Sequence, residues 1–206
     1  MTDLSSVGRK ARYVVALVAL GMGVIGASGA PAASAGIAGD CDQTLTQPFL
    51  PWLDPGNYEA VPGGDFETEA SGWSLNGARV VAGNEPWQVT GTGSSSLSLP
   101  PGASATAPEV CIGLLHPTMR FFARNSGLLG LGLLEVDADI HAAGVTLTLP
   151  VGVFTGSAGW APTLPWPLLA NLTTPLDGMS STVSLRFHAL TGTWQIDDVY
   201  VDPFKT

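Results

Sequence analysis

The sequence predicts an all-β fold, a sandwich of two packed sheets. Apolar and polar residues alternate with period two in seven segments, the pattern of a half-buried strand. The 26 glycines and 16 prolines interrupt the chain often, which leaves little room for long helices. Turn signals such as Asn76-Gly77 and Thr191-Gly192 separate several of the segments. Short strands joined by such turns are typical of a β-sandwich.

The first 35 residues have the layout of a secretory signal peptide. Three basic residues at positions 9 to 12 precede an apolar run over 13–27, and Ala33-Ser34-Ala35 offers a small-residue cleavage site. The run is shorter than the roughly 20 residues of a membrane-spanning helix, although an uncleaved N-terminal anchor remains an alternative. We therefore expect a secreted or cell-surface protein that meets a membrane only through this segment.

The composition is acidic. The chain carries 17 acidic against 8 lysine and arginine residues, a net charge of −9 at pH 7, and the predicted signal segment contains three of the basic residues. A negative surface repels phosphate backbones, which argues against nucleic acid as a partner, whereas divalent cations match this charge. After residue 35 the chain has the length of one ordinary domain, about 170 residues.

The two cysteines, Cys41 and Cys111, predict one disulfide, because export places them in an oxidising compartment. A bridge across about 70 residues would stabilise the fold by on the order of 4 kcal/mol through chain entropy. It would hold an N-terminal extension, 36–60, against the sandwich domain, 61–206. Two unpaired buried thiols remain the alternative.

Seven strands are predicted from the alternation. In the sixth, odd-numbered residues from 183 are apolar, which puts Arg186 and His188 on a solvated face. In the fourth, even-numbered residues are apolar, which puts Asp137 and Asp139 on a solvated face. The segments are 78–83, 95–100, 118–124, 133–141, 145–151, 181–190 and 193–201.

Two segments do not alternate. Residues 126–134 are apolar throughout, and 159–176 are apolar and rich in proline, which disfavours a central strand. The second segment either folds over one end of the sandwich, which we favour, or exposes Trp160 and Trp166 to a partner protein.

The last predicted strand contains two adjacent aspartates, Asp197 and Asp198. Trp194 and Ile196 share one face of a regular strand, whereas the apolar residues after the aspartates have the opposite parity. One extra residue at the pair brings both sets to the core, so we predict a β-bulge there. Two neighbouring carboxylates repel each other, and a bound cation would remove that cost. A solvated strand edge without metal is the alternative.

GGDFE and SGW near residues 63–73, with WQIDDVYV at 194–201, resemble the opening and closing signatures of carbohydrate-binding modules with the galactose-binding-like jelly-roll fold. The resemblance implies a jelly-roll domain over about residues 60–203, with a structural calcium ion where the two motifs meet. Carried over, the implied ligands are Asp65, Glu67, Asp197 and Asp198. Gly63 stands where the family often has Asn, and residues 41–58 fall outside the usual module. The whole chain also resembles a group of secreted actinobacterial proteins.

The sequence offers no catalytic constellation. It contains no G-x-S-x-G elbow, H-E-x-x-H pair or P-loop. Asp137 and Asp139 could form an acid and base pair on a glycan, but alternating carboxylates are common on solvated strands. We therefore expect no enzyme, and a glycoside hydrolase or lyase is the least favoured function.

A binding module fits the residues better. Sugar recognition needs polar groups for the hydroxyls and an exposed aromatic ring for stacking; Trp73 and Trp194 are expected in the core. The leading hypothesis is a non-catalytic module for carbohydrate or another extracellular ligand, and the alternative is a structural or adhesion protein of the cell envelope. The polar side chains could instead pair across strands. The candidate ligand-binding residues are Arg120, Arg124, Arg186, His188, Asp137, Asp139, Trp87, Trp160 and Trp166, with Trp52 or Tyr58 as further aromatic candidates.

Overall fold

The computed structural model describes residues 44–113, 118–127, 130–142, 145–169 and 180–202. All of them belong to one compact unit, Ala35–Thr206. No helix within these ranges is long and apolar enough to cross a membrane. The predicted signal peptide and Cys41 lie outside the described residues, so the signal peptide and the disulfide with Cys111 stay predictions.

Within the described residues, the strands form two antiparallel sheets of eight and six strands. The larger sheet contains β1 (Leu45–Thr46), β2 (Tyr58–Ala60), β4 (Arg79–Ala82), β5 (Ser95–Leu99), β8 (Thr118–Asn125), β11 (Ala161–Pro162), β12 (Trp166–Pro167) and β14 (Trp194–Asp202). The smaller sheet contains β3 (Ser74–Asn76), β6 (Ser104–Thr106), β7 (Val110–Gly113), β9 (Leu133–Ala142), β10 (Val145–Thr155) and β13 (Ser180–Thr191).

The strand orders are β1-β2-β14-β5-β4 and β10-β9-β13-β6-β3. In addition, β8 pairs with β14, β11 and β12, and β7 pairs with β13. A short 3₁₀ turn, Leu50–Trp52, lies between β1 and β2. The predicted all-β sandwich is confirmed.

All seven predicted strands are present, as β4, β5, β8, β9, β10, β13 and β14. The predicted bulge is confirmed as well, because the pairing of β14 with β8 shifts register between Asp197 and Tyr200. The seven described strands that the sequence did not predict are each two to four residues long. Two of them, β11 and β12, contain prolines, which edge positions tolerate because one side of the strand makes no ladder hydrogen bonds.

The main core lies between the two sheets. Phe187 packs edge-on against Phe121 at 5.2 Å and lies 5.9 Å from Trp73. Trp73 and Trp194 belong to this core, as predicted. The apolar odd-numbered residues of β13 and even-numbered residues of β9 are buried, as predicted. On the opposite face Asp137 and Ser184 are only 7% exposed, so the prediction of a solvated face holds only in part; Arg186 of the neighbouring strand pairs with Asp137 there.

A second apolar cluster covers the outer face of the eight-stranded sheet. It contains Phe49, Tyr58, Phe122 and Tyr200, and we call it the outer cluster. Alternation along β8 sends Phe121 to the core and Phe122 to this face. The chain between β1 and β2 supplies Phe49, whose ring stacks on Phe122 at 5.5 Å. Both faces of this sheet are therefore dry where the outer cluster lies.

Candidate functional site: an aromatic surface and its acidic anchor

Three tryptophans, Trp52, Trp87 and Trp160, pack on the outer cluster, and Arg124 contacts one of them; we call these four side chains the aromatic surface. The rings of Trp52 and Trp87 lie 5.3 and 5.5 Å from Phe122. Trp160 packs against the same cluster, and the Arg124 guanidinium lies 5.2 Å from its ring centre. Trp87 is 44% exposed, so this surface presents an aromatic ring to solvent.

Local structure explains each position. Alternation along β8 places Arg124 on the same face as Phe122. Trp160 precedes β11, in which Ala161 lies opposite Ala123 of β8, and this register brings the indole beside Arg124. The Nε atom of Arg124 donates to the amide oxygen of Gln195, which lies opposite it on β14.

The surface combines the groups that a neutral polar ligand requires. The rings of Trp52 and Trp87 meet at 87° with centres 5.1 Å apart, so they form an angled wall rather than one flat platform. The paired guanidinium and amide of Arg124 and Gln195 place polar groups on the same face of the sheet. Aromatic walls with a few oriented polar groups are typical of small-ligand sites.

The other predicted ligand-binding residues are not part of the aromatic surface. Arg120 is only 4% exposed; its Nη1 lies 2.6 Å from Asp54 Oδ2, and its Nε donates to Thr163 O. Trp166 packs on Phe154 with ring centres 4.7 Å apart. The structure therefore brings Arg124, Trp87 and Trp160 together, with the further candidate Trp52, and places Tyr58 in the outer cluster.

The remaining four predicted residues share the outer face of the six-stranded sheet and make polar contacts between strands. Arg186 Nη2 lies 2.6 Å from Asp137 Oδ2, its opposite residue on β9. His188 lies 3.5 Å from Glu135, and Asp139 accepts a hydrogen bond from a threonine of β10. These contacts match the cross-strand pairing that the sequence left open.

Trp87 lies on a loop, residues 83–94, whose ends meet where Gly83 N donates to Ser94 O at 2.7 Å. Glu85, 1% exposed, lies inside the loop. Its carboxylate accepts hydrogen bonds from the main-chain N–H groups of Trp87, at 2.5 Å, and Val89, at 2.9 Å. Glu85 thus stabilises the loop from within.

The loop contacts the β14 bulge through two further hydrogen bonds. Glu85 N donates to Asp197 Oδ2 at 3.1 Å, and Thr90 Oγ1 donates to Asp198 Oδ1 at 2.8 Å. All three carboxylates are buried. Among the described residues, no lysine, arginine or histidine forms an ion pair with them.

Burial without a positive partner disfavours the charged forms of the aspartates. Burial first, then repulsion from Asp198, raises the pKa of Asp197 to about 8. The pKa of Asp198 is also raised, by burial and by the negative charges of Glu85 and Asp65, although the Thr90 hydrogen bond opposes the shift. This cluster would be stabilised by a cation.

A cavity of about 140 Å³ beside the bulge tests the implied calcium site. Asp65, Thr90 and Asp198 are among its lining residues, and Asp198 Oδ2 is buried without a hydrogen-bond partner. Glu67 does not line it; this carboxylate accepts from Ser94 N and Ser95 N, both at 2.7 Å. No group of three Asp, Glu, His or Cys side chains in the described ranges is arranged as a metal site. Two of the four implied ligands, Asp65 and Asp198, fit a cation in this cavity, whose other ligands would be hydroxyl, main-chain or water oxygens.

No protein-family model and no curated protein sequence matches the chain. Its fold is similar to that of the CBM22-1 xylan-binding domain from Paenibacillus barcinonensis Xyn10C, with TM-score 0.51, 13% identity and coverage of 73% of this chain and 97% of that one. The chain also matches 44% of the tandem CBM22-1-CBM22-2 structure from the same protein, over 69% of its own length, at 13% identity and TM-score 0.49.

A third similar structure is TmCBM61 in complex with β-1,4-galactotriose, at 16% identity and TM-score 0.42, covering 68% of this chain and 94% of that one. At such low identity, the first comparison establishes the β-sandwich fold alone. The fold predicted from the sequence motifs is thus one that a carbohydrate-binding module adopts.

Sequence reasoning missed Glu85 and Gln195. Gln195 had a usable signal, since it alternates with Trp194 and Ile196 on β14 and so lies on the outer face. Glu85 had none. It lies in an irregular loop, and the Asp197 carboxylate that accepts from its main-chain N–H is 112 positions away in the chain.

Proposed function

We propose that this protein is a secreted, non-catalytic module that binds carbohydrate through the aromatic surface. The observation that carries the proposal is the exposed ring of Trp87 on a surface shared with Arg124 and Trp160. The fold similarity to a xylan-binding domain supports a binding role. The signal-like N-terminal segment supports secretion.

In this proposal, the apolar face of a sugar ring stacks on Trp87, and Arg124 with Gln195 hydrogen-bonds its hydroxyl groups. Phe122 and Trp52 hold the Trp87 ring from below and beside it. Side chains ordered before the ligand arrives lose less entropy on binding, which favours affinity.

The proposal includes the calcium ion that the resemblance implies. Asp65 and Asp198 would hold it, with the Thr90 hydroxyl beside them. Calcium would supply positive charge that offsets the repulsion among the buried carboxylates. Its role is structural, since the cavity lies at the base of the loop that carries Trp87.

The absence of catalysis is part of the proposal. The residues first considered as an acid and base pair are both engaged, Asp137 by Arg186 at 2.6 Å and Asp139 by Thr148. An inverting or retaining glycosidase needs two carboxyl groups that act on one bond, one of them as a proton donor.

Binding to immobilised polysaccharides, with xylan and β-1,4-galactan among them, tests the proposal. We expect Trp87→Ala to weaken binding at least tenfold, because it removes the exposed ring. Leu147→Ala is the matched control, since Leu147 is 46% exposed on the other sheet. Arg124→Ala should weaken binding while Arg186→Ala should not. No binding to any polysaccharide, or full binding by a folded Trp87→Ala variant, would refute the proposal.

A protein partner at the cell envelope is the second candidate. The sequence suggested this function through exposure of Trp160 and Trp166. The structure weakens that argument, because both side chains are partly buried against the chain's own clusters. Another observation favours it: Leu53 is 93% exposed and Leu50 is exposed, next to Trp52. A Leu53→Ser variant separates the two functions, because it should leave sugar affinity unchanged and weaken adhesion to a protein.

A further inference from the structure

We propose that Glu85 is a positioning residue for ligand recognition: its buried carboxylate fixes the loop that presents Trp87, while its main-chain N–H is anchored on Asp197 of the β14 bulge. The ligand part of this inference rests on the proposed carbohydrate function. The loop is the 83–94 segment described above, and none of it is helix or strand. The position of Trp87 must therefore come from contacts other than a ladder or a helix.

Glu85 supplies the inner contacts. Its two oxygens accept from the main-chain N–H groups of residues 87 and 89, which lie on either side of Gln88. Gln88 has a φ of 52°, in the left-handed region that non-glycine residues rarely adopt. Such a conformation persists only where the surroundings hold it. The two hydrogen bonds to Glu85 hold it here and fix the main chain of Trp87 directly.

The bulge supplies the outer contacts. In a regular strand, Asp198 would share the core-facing side of Ile196, because side chains two positions apart point the same way. The extra residue turns Asp198, at φ 48°, away from the core, so that adjacent aspartates both reach the loop. Asp197 binds the loop at Glu85 N, and Asp198 binds it at Thr90 Oγ1. These two attachments flank Trp87.

Glu67 fastens the far end of the same loop. Its carboxylate accepts from Ser94 N and Ser95 N at 2.7 Å and from Ser94 Oγ at 3.2 Å. Carboxylates from the opening motif, the loop itself and the closing strand thus converge on one loop whose exposed aromatic side chain is Trp87. Three of these carboxylates, those of Glu85, Asp197 and Asp198, are buried at a cost in free energy, whereas that of Glu67 is exposed. This arrangement is what a preorganised binding loop requires.

Glu85→Gln tests the inference. The amide keeps one acceptor oxygen and replaces the other by a donor that faces a main-chain N–H, so one loop bond is lost. Affinity for soluble xylan and β-1,4-galactotriose should fall about tenfold. In a Trp87→Ala background the same change should have no further effect on affinity, because Glu85 acts through Trp87. Glu135→Gln, on the other sheet, is the matched control.

A second measurement keeps this inference separate from the proposed function. The indole N–H resonance of Trp87, assigned by Trp87→Phe, reports the loop whether or not a sugar binds. Glu85→Gln should move and broaden this resonance and leave those of Trp73 and Trp194 in place. If wild-type protein binds no sugar, the proposed function fails, while this shift still supports the loop assignment.

If Glu85→Gln does not fold, Thr90→Val is a milder perturbation of the same loop, because it removes only the hydroxyl that donates to Asp198. An unchanged Trp87 resonance in both folded variants would overturn the inference. A loss of affinity that adds to that of Trp87→Ala would overturn it as well, because a merely structural role lowers stability without acting through Trp87.

Discussion

The ion pair between Arg120 and Asp54 should hold the chain between β1 and β2 against the eight-stranded sheet. Asp54 Oδ2 accepts from Arg120 Nη1 at 2.6 Å and from the Tyr58 hydroxyl at 2.7 Å, and Asp54 Oδ1 accepts from Gly56 N at 3.0 Å. The Arg120 guanidinium also lies 4.0 Å from the ring centre of Phe49. One carboxylate therefore connects the turn before β2 to β8.

Asp54→Ala leaves the Arg120 charge buried without its carboxylate. Breaking a buried ion pair costs about 3–5 kcal/mol, and a lost hydrogen bond from Tyr58 adds about 1 kcal/mol. Because Asp54 is 17% exposed and water can partly replace it, the lower part of that range applies, about 3 to 4 kcal/mol in all. Urea unfolding at pH 7 measures this loss. The Trp52 side of the aromatic surface should loosen too, and sugar affinity with it.

The effect should depend on pH in a definite direction. Burial alone would raise the pKa of Asp54, but hydrogen bonds from Tyr58, Gly56 and Arg120 outweigh it and lower this pKa. A carboxyl with a depressed folded pKa stabilises the fold above its unfolded pKa and loses that contribution as pH falls. The gap between wild type and Asp54→Ala should therefore narrow in acid. A cost below about 1 kcal/mol at pH 7, or a gap that widens in acid, would refute the reasoning.

Calcium binding, the carboxyl group of Glu59 and the Arg186–Asp137 pair each give a further prediction. Calcium should raise the midpoint of thermal unfolding above its value in chelator, by the equivalent of about 2.7 kcal/mol when calcium is in hundredfold excess over Kd. Asp198→Ala should abolish this difference, and Glu67→Ala should keep it. Equal midpoints of the wild-type protein in calcium and in chelator would contradict the cation site. Burial raises the pKa of Glu59 to about 7, so ionisation of this carboxyl destabilises the fold as pH rises through 7. Glu59→Gln should therefore stabilise by about 1–2 kcal/mol at pH 8 and hardly at pH 5, given partial solvent access; equal effects at both pH values in urea unfolding would count against it. Arg186→Ala should cost about 1–3 kcal/mol in the same assay: Arg186 is 44% exposed, but its loss leaves the buried Asp137 carboxylate, 10% exposed, without a partner. A loss below about 0.5 kcal/mol would show that water replaces the guanidinium fully.

Local alternation accounts for the parts of the fold that the sequence predicted. The parity change between Ile196 and Val199 was enough to place a bulge, because both side chains must reach the same core. The faces of β9 and β13 followed from period-two burial in the same way. Parity reports which face a residue takes, and it needs only neighbours within one strand.

Parity does not report which sheet a strand joins or what covers a face. Arg120 and Arg124 share a face of β8, yet Phe49 and Asp54 cover the first and leave the second beside Trp160. Arg186 faces out from the opposite sheet. The candidate ligand-binding residues therefore do not share one face, and the topology that separates them depends on pairings between distant segments.

The outer cluster also affects how the molecule opens. Strands β8 and β14 carry the main core on one side and the outer cluster on the other, so their main-chain amides are shielded from water on both faces. We expect these amides to exchange with solvent more slowly than those of the six-stranded sheet, whose outer face is polar, because opening β8 or β14 would expose apolar side chains on both faces. The aromatic surface therefore lies on the two strands that we expect to open least often.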